Sequence, residues 1–241
     1  MAYFESNTSS LKKEAGPLPS KIGVVIFPGF QLLDYAGPLD AFNILSGFHT
    51  LTLHTIAASL EPVATQNHIQ AKTSNAFSQS IQPTHSFATA DRNYDMLLLP
   101  GGLGSRDPAN ADALRAQVEW LKSLELEKEG GAVKWVLTVC TGSEILARTG
   151  VLDGRRATTN KRAFKEVKAA RPQVNWVAKA RWVVDGNIWT SSGISAGMDL
   201  AFAWIAEIFG EETAQLVADR SEYERNVDPG NDRYAERWDA A

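Results

Sequence analysis

The sequence predicts an α/β protein: a doubly wound, mostly parallel sheet flanked by helices, in a single domain. Short apolar segments rich in β-branched residues alternate along the chain with helical patterns, as expected when helices cover both faces of a parallel sheet. Several of these segments end in a glycine-rich turn, and no linker-like stretch divides the chain. With 241 residues, 44% of them hydrophobic, the chain is long enough to bury one large core.

The composition narrows the classes of function. Residues 1–20 are polar and include Pro17 and Pro19, so we predict a flexible leader before a domain of residues 21–241. A net charge of −4 and a pI of about 5.6 disfavour nucleic acid as a partner. No apolar run reaches the ~18 residues of a membrane span. The lone cysteine excludes an intrachain disulfide and suits a reducing compartment such as the cytoplasm. The scattered histidines predict no metal site.

The elements follow in order. In the first half we predict strands at residues 21–27, 51–59 and 94–100, and two short strands within 66–82. We predict a helix that begins near Pro38 and another at residues 112–126, followed by a charged helix end at 127–131. In the second half we predict a strand at 133–139, helices at 143–148 and 161–170, a hairpin turning at Asp185-Gly186, an apolar helix at 198–209 and a polar helix from Glu212.

Cys140 lies at the junction between a buried strand and the helix that follows it. The apolar segment 133–139 precedes it, and Thr141-Gly142 leads into the helical pattern that follows. At such a junction the thiol faces amide N–H groups and the positive end of a helix dipole, which stabilise a thiolate. We therefore predict a lowered thiol pKa. A lone cysteine that merely fills the core is the alternative reading.

Other chemically useful residues also follow strands. Asp34 comes after the first strand and Gly101-Gly102 after the 94–100 strand, and the carboxyl ends of strands are where open α/β sheets bind ligands. The glycine pair, together with the Thr141 N–H, can direct amides at a developing negative charge. Read separately, Asp34 suits a helix start, Gly101-Gly102 an ordinary turn, and 191–193 a loop before a helix.

Together these motifs resemble the PfpI/ThiJ (DJ-type) superfamily, with its flavodoxin-like, class I glutamine-amidotransferase-like fold. The matching segments, in the same order, are 27–30 with Asp34 and Gly37-Pro38, 97–102, 138–143, 150–159 and 191–199, so the likeness covers roughly residues 21–210. Within the superfamily, the order of the motifs and the aspartate at 34 most resemble the isonitrile hydratases.

The resemblance implies a site and an activity. Cys140 would be the nucleophile, Asp34 its acid/base partner and Thr141 the threonine after the nucleophile. Gly102 would supply an N–H to the bound group, with Gly101, Gly193 and Ile194 also in the oxyanion and substrate-binding region. The implied reaction is that of a lyase (a hydro-lyase) that converts R–N≡C to an N-substituted formamide without a cofactor. Relatives imply a homodimer.

One departure from the superfamily bears on function. Many members carry a histidine about 20 residues after the cysteine, but Asn160 stands there, and no histidine follows Cys140. A Cys-His triad is therefore disfavoured, with recruitment of His68 or His85 a minor alternative. Glyoxalase or deglycase activity on small aldehydes and a non-enzymatic redox sensor remain alternatives. A DNA-binding regulator is not expected, because little chain follows Gly210.

Overall fold

The computed structural model describes residues 17–73, 77–126 and 131–240. The strands are β1 (Lys21–Val25), β2 (Thr52–Ala57), β3 (Val63–Ala64), β4 (Ser80–Ile81), β5 (His85–Ser86), β6 (Tyr94–Leu99), β7 (Val133–Thr138), β8 (Arg156–Ala157), β9 (Asn175–Trp176), β10 (Trp182–Asp185) and β11 (Ile188–Ser191). The helices are α1 (Leu32–Leu45), α2 (His68–Thr73), α3 (Ala111–Lys122), α4 (Gly142–Ala147), α5 (Phe164–Ala170), α6 (Ala196–Phe209), α7 (Glu211–Arg220) and α8 (Tyr234–Arg237).

The main sheet has seven strands in the order β10-β11-β7-β6-β1-β2-β5. All neighbouring pairs are parallel except β10 and β11, which form the predicted antiparallel hairpin. The chain winds outward from β1 toward β2 on one side and from β6 toward β7 on the other. This reversal makes a crevice at the carboxyl ends of the central strands, and the predicted doubly wound α/β fold is confirmed.

The core lies where helices pack on these strands. The central strands are almost completely buried, as the continuous apolar runs predict. On α6, the fully buried Trp204 meets Phe42 of α1 edge to face, with ring centroids 5.7 Å apart, and meets Trp135 of β7 at the same separation. These aromatic contacts fix α1 and α6 against β7, which carries Cys140 at its end.

Two local predictions are wrong. Helix α1 begins at Leu32, six residues before Pro38. The proline that we took as a start signal lies inside the helix. Asp34 consequently falls in the first helical turn. The predicted strand pair within 66–82 is instead helix α2 followed by β4. The Asn67 carboxamide oxygen accepts hydrogen bonds from the N–H groups of Ile69 and Gln70, which caps a helix start.

Two of the predicted segments include residues that the structure does not describe. Most of the predicted leader, residues 1–16, lies outside the described residues, as does the charged helix end at 127–130. Contacts with the sheet begin just before the predicted domain start: Pro19 is buried, and the Ser20 N–H donates to Asp95 Oδ2 at 2.8 Å. Across the described ranges, no helix has the length and apolar character needed to cross a membrane.

Candidate active site

The carboxyl ends of β1, β6, β7 and β11 bring the predicted site residues to one place. Asp34 follows β1, Gly101-Gly102 follow β6, Cys140 follows β7, and 192–194 follow β11. The turns pack very closely, because a Cβ added to Gly101 would stand 2.4 Å from the Thr141 nitrogen. Only glycine permits that approach, so the glycine after β6 is a packing requirement of this site.

Cys140 is held in an unusual backbone conformation. Its φ is 57°, a left-handed value that costs a non-glycine residue free energy and persists only where surrounding contacts enforce it. Its N–H donates to the Ser192 carbonyl at 3.0 Å. Its own carbonyl accepts the hydroxyls of Ser143 at 3.1 Å and Thr159 at 3.0 Å. These bonds hold the turn, so the sulfur has a defined position before any substrate binds.

Asp34 is a buried carboxyl beside this sulfur. It has no solvent exposure, and burial raises its pKa from 3.8 to about 7. The Gly101 N–H, which donates to Oδ2 at 3.0 Å, and the Cys140 thiol oppose this rise. The other oxygen, Oδ1, has no hydrogen-bond partner among the described residues. A carboxyl that titrates near neutrality, with a free oxygen, can both accept and return a proton.

The prediction of a lowered thiol pKa is wrong. Burial raises the pKa of Cys140, and the nearby Asp34 carboxylate raises it further. The Thr141 N–H, the Asn160 side chain and the Ile194 N–H lower it, but they do not offset the first two effects. Helix α4 has only six residues, so its dipole lowers the thiol pKa only weakly. Burial of the sulfur away from water raises that pKa more strongly. The thiol therefore needs a proton acceptor, and Asp34 is adjacent.

Two amides expected to face a substrate already have acceptors. The Gly101 N–H bonds to Asp34, and the Gly102 N–H donates to Thr141 Oγ1 at 3.0 Å. Gly102 does line the cavity beside Cys140, but Gly101 does not. Their N–H groups therefore hold Asp34 and Thr141 in place, and a donor role of Gly102 toward a bound group stays a prediction. The amides directed at the sulfur are those of Thr141 and Ile194.

Asn160 is the site residue that the motif reading did not assign. Its carboxamide oxygen accepts the Ala163 N–H at 3.2 Å, which leaves its NH₂ to donate toward the Cys140 sulfur. The same nitrogen packs on Gly193, where an added Cβ would lie 2.5 Å from it. Asn160 is the N-cap of a short 3-10 helix, and the preference of asparagine for this position could have placed it at the start of a helical turn. The amide therefore stands where many members of the superfamily carry a histidine, and it donates a hydrogen bond.

Most of these residues line a cavity of about 720 Å³, although the fully buried Asp34 is not among the residues of its wall. Besides Cys140, Thr141, Asn160, Gly193 and Ile194, its walls include His68, from the helix that we predicted as strands. His68 Nδ1 lies 3.2 Å from Asp107 Oδ2, and His68 is not among the groups that act most strongly on the thiol. His85, the other candidate, stacks on His54 with centroids 3.9 Å apart. Within the described ranges, no cluster of His, Cys, Asp or Glu could hold a metal.

The fold and this geometry define a class of protein. A doubly wound sheet presents a strained residue at the end of a central strand, on the kind of turn known as a nucleophile elbow. Here that residue is a cysteine with a buried carboxyl beside it.

The chain belongs to the DJ-1/PfpI family, whose sequence model matches residues 20–207. Isonitrile hydratase from Pseudomonas putida is 32% identical over 207 residues, which are 84% of this chain and 78% of that enzyme. The HTH-type transcriptional regulator CdhR of Pseudomonas aeruginosa is 27% identical over 81% of this chain, but the match spans only 53% of the regulator. The family resemblance drawn from the motifs is thus confirmed, and the relatives include an enzyme and a regulator.

Solved structures agree with this assignment. A ThiJ/PfpI family protein from Pseudomonas syringae superposes with a TM-score of 0.66 at 26% identity, covering 91% of this chain and 84% of that one.

Proposed function

We propose that this protein is an isonitrile hydratase-like lyase in which Cys140 is the nucleophile and Asp34 transfers the proton. The observation that carries the proposal is the pairing of a buried cysteine with a carboxyl whose pKa is raised to about 7. The isonitrile group itself is linear and carries no net charge, so its terminal carbon can reach a buried sulfur. The similarity to the Pseudomonas putida isonitrile hydratase supports the same reaction.

The first step joins the sulfur to the substrate. Asp34 accepts the thiol proton while the sulfur bonds to the terminal carbon of R–N≡C, and Asp34 then delivers that proton to the same carbon. The product is an enzyme-bound thioformimidate, R–N=CH–S–Cys140. A general base with a pKa near the working pH suits both halves of this transfer. The Asn160 amide and the N–H groups of Thr141 and Ile194 stabilise the sulfur as it gains negative charge.

The second step releases the product. Water adds to the thioformimidate carbon, one of its protons goes to nitrogen, and the other returns through Asp34 to the departing sulfur. The carbon–sulfur bond breaks and R–NH–CHO leaves. The sum is one isonitrile plus one water, so no oxidant or cofactor is required. In this scheme the Gly101 N–H and the Thr141 hydroxyl act as positioning groups, since their hydrogen bonds hold Asp34 and the Gly102 turn.

The deciding experiment is turnover of phenyl isocyanide by purified protein, followed as formanilide appearance, with Cys140→Ala alongside. We expect product from the wild type alone, with a loss of at least about a thousandfold in the variant. Full activity in Cys140→Ala would remove the nucleophile from the proposal. Formation of lactate from methylglyoxal, without formanilide, would favour the glyoxalase alternative. Dose-dependent peroxide oxidation of Cys140 without any turnover would favour the redox sensor.

Partners and location stay predictions. A small-molecule substrate suits the cavity beside Cys140, and we continue to expect a homodimer, a cytoplasmic location and no nucleic-acid partner. Size-exclusion chromatography with light scattering tests the first of these three expectations.

A further inference from the structure

Part of the wall of the Cys140 cavity comes from the last residues of the sequence. Residues 228–240, here called the C-terminal arm, contain helix α8 and lie beyond the part of the chain that the family model matches. Tyr234 and Trp238 of the arm line the same cavity as Cys140. Both are unusually exposed for large aromatic residues, at 41% and 43%. They are four residues apart and so share one side of the helical turn.

Buried contacts hold the arm in place. Asp232 and Lys161 form an ion pair of 3.6 Å between side chains that are at most 1% exposed. Lys161 follows Asn160 directly and lines the cavity itself. A second bond runs from the Arg181 N–H to the Pro229 carbonyl at 2.7 Å. The aromatic side chains of the arm therefore stand at the cavity on an anchored segment.

The positive charges around the cavity are not equally neutralised. Arg106 pairs with Glu166, and Lys161 pairs with Asp232. Arg162 lies over the Trp238 ring, with its guanidinium carbon 5.7 Å from the ring centroid, and it has no carboxylate partner among the described residues. Arg162 thus packs against the Trp238 ring at the cavity as a cation without a carboxylate partner. The same ring also carries the Arg237 guanidinium, whose carbon lies 5.2 Å from the ring centroid.

We propose that the arm and Arg162 select aromatic substrates that carry an anionic group, such as an isocyanobenzoate. The ring would stack on Trp238 and Tyr234, while its carboxylate would pair with Arg162. Aromatic stacking and a guanidinium–carboxylate pair are compatible in one site, because Arg binds a carboxylate in the plane of its fork and a ring on its face. The substrate class rests on the hydratase reaction proposed above, but the anion preference is a property of the cavity alone.

The test compares two probes of similar size: 4-isocyanobenzoate and 4-methylphenyl isocyanide. We expect wild-type kcat/KM to favour the benzoate by about tenfold, mostly through KM, and the preference to weaken as salt is added. Arg162→Gln should lower kcat/KM for the benzoate by about tenfold and so remove most of that preference. Arg115→Gln, the same change on an exposed arginine of α3 away from the cavity, should leave the preference intact.

Trp238→Leu examines the aromatic part of the proposal. It should lower kcat/KM for both aryl probes by about threefold relative to cyclohexyl isocyanide, because a ring stacked on tryptophan loses its partner. Equal handling of the two aryl probes by the wild type, or an unchanged preference in Arg162→Gln, would overturn the proposal.

A binding measurement separates this proposal from the reaction itself. Calorimetry on Cys140→Ala would compare 4-formamidobenzoate with 4-methylformanilide. Tighter binding of the benzoate that disappears in the Cys140→Ala/Arg162→Gln double variant would support the anion site even if the wild type hydrates no isonitrile. Turnover of both probes without preference would overturn the anion site and leave the hydratase reaction standing. Binding of neither ligand together with no turnover would overturn both.

Discussion

The two halves of the Cys140 cavity are built in different ways. The inner half consists of buried turns at the carboxyl ends of β1, β6, β7 and β11, all within the family match at 20–207. The outer half combines Arg162 with the C-terminal arm, which lies beyond that match and exposes Tyr234 and Trp238 to solvent. In the inner half, backbone hydrogen bonds leave Cys140 and Asp34 little freedom to move. The outer half is joined to the domain by a few contacts.

We expect this difference to separate the proposed reaction from the choice of substrate. A buried carboxyl next to a buried thiol has its pKa set by desolvation, so small changes there alter the proton transfer for every substrate. At the exposed rim, charges are screened and each contact contributes less. We therefore expect changes in the inner half to alter kcat for all substrates and changes in the arm to alter mainly KM and substrate choice. The predictions below test that division.

The largest effect is expected from Asp34→Asn. The amide retains the shape of the side chain but cannot transfer the proton, so kcat should fall by about 100- to 10,000-fold. In the wild type, kcat/KM should rise with pH through about 7 as Asp34 ionises, and the variant should lose that dependence. A pH–rate profile of both proteins measures this. A variant with the wild-type profile would show that another group transfers the proton.

The same carboxyl should make stability depend on pH. Between about pH 4 and pH 7 the folded state keeps the Asp34 proton while the unfolded state releases it, so wild-type stability falls as pH rises through that window and levels above it. Asp34→Asn has no such loss. The free energy of unfolding of the variant should therefore gain on the wild type by up to about 4 kcal/mol from pH 4 to pH 8. Urea unfolding across that range measures the difference, and parallel curves would contradict it.

An intermediate effect is expected where the arm is anchored. Asp232→Asn leaves Lys161 buried without its counter-charge, which should lower the free energy of unfolding by about 3 kcal/mol at pH 7. The loss should shrink at pH 9, because burial lowers the pKa of Lys161 to about 8 and an unpaired lysine can release its proton.

Lys165→Gln is the matched control for the anchor. It removes an exposed ion pair with Asp239, also in the arm, and should cost less than about 1 kcal/mol. Equal losses in the two variants would mean that the arm is not anchored through its buried pair.

The smallest effect is expected from Asn160→Ala. Without the Asn160 amide, the pKa of the thiol rises further, and a rise of one pKa unit lowers the thiolate fraction about tenfold. The rate of Cys140 alkylation by iodoacetamide should fall by that factor at neutral pH. Asn43→Ala, on an exposed position of α1, is the control. An alkylation rate that Asn160→Ala leaves unchanged would remove Asn160 from the site.

The two halves of the cavity also differ in how much of each could be predicted from the sequence. The inner half was predictable, because residues that follow neighbouring parallel strands must meet at one edge of the sheet. Cys140, Asp34 and the 101–102 turn were found in this way. Asn160 was recognised only as the residue in place of a histidine, since its amide orientation depends on the Ala163 N–H. Arg162, Tyr234 and Trp238 had no local signal, because the arm reaches the cavity through contacts with residues about 70 positions earlier.

The sequence by itself determined the sheet, the elbow cysteine and the family, because hydrophobic periodicity and the order of short motifs are local properties of the chain. Tertiary structure alone decided the protonation of the site and the identity of its outer wall. The sign of the thiol pKa shift depends on how completely water is excluded from Cys140 and how close Asp34 lies. The outer wall depends on where a distant segment folds back. Both are sums over three-dimensional neighbours, which no single stretch of sequence contains.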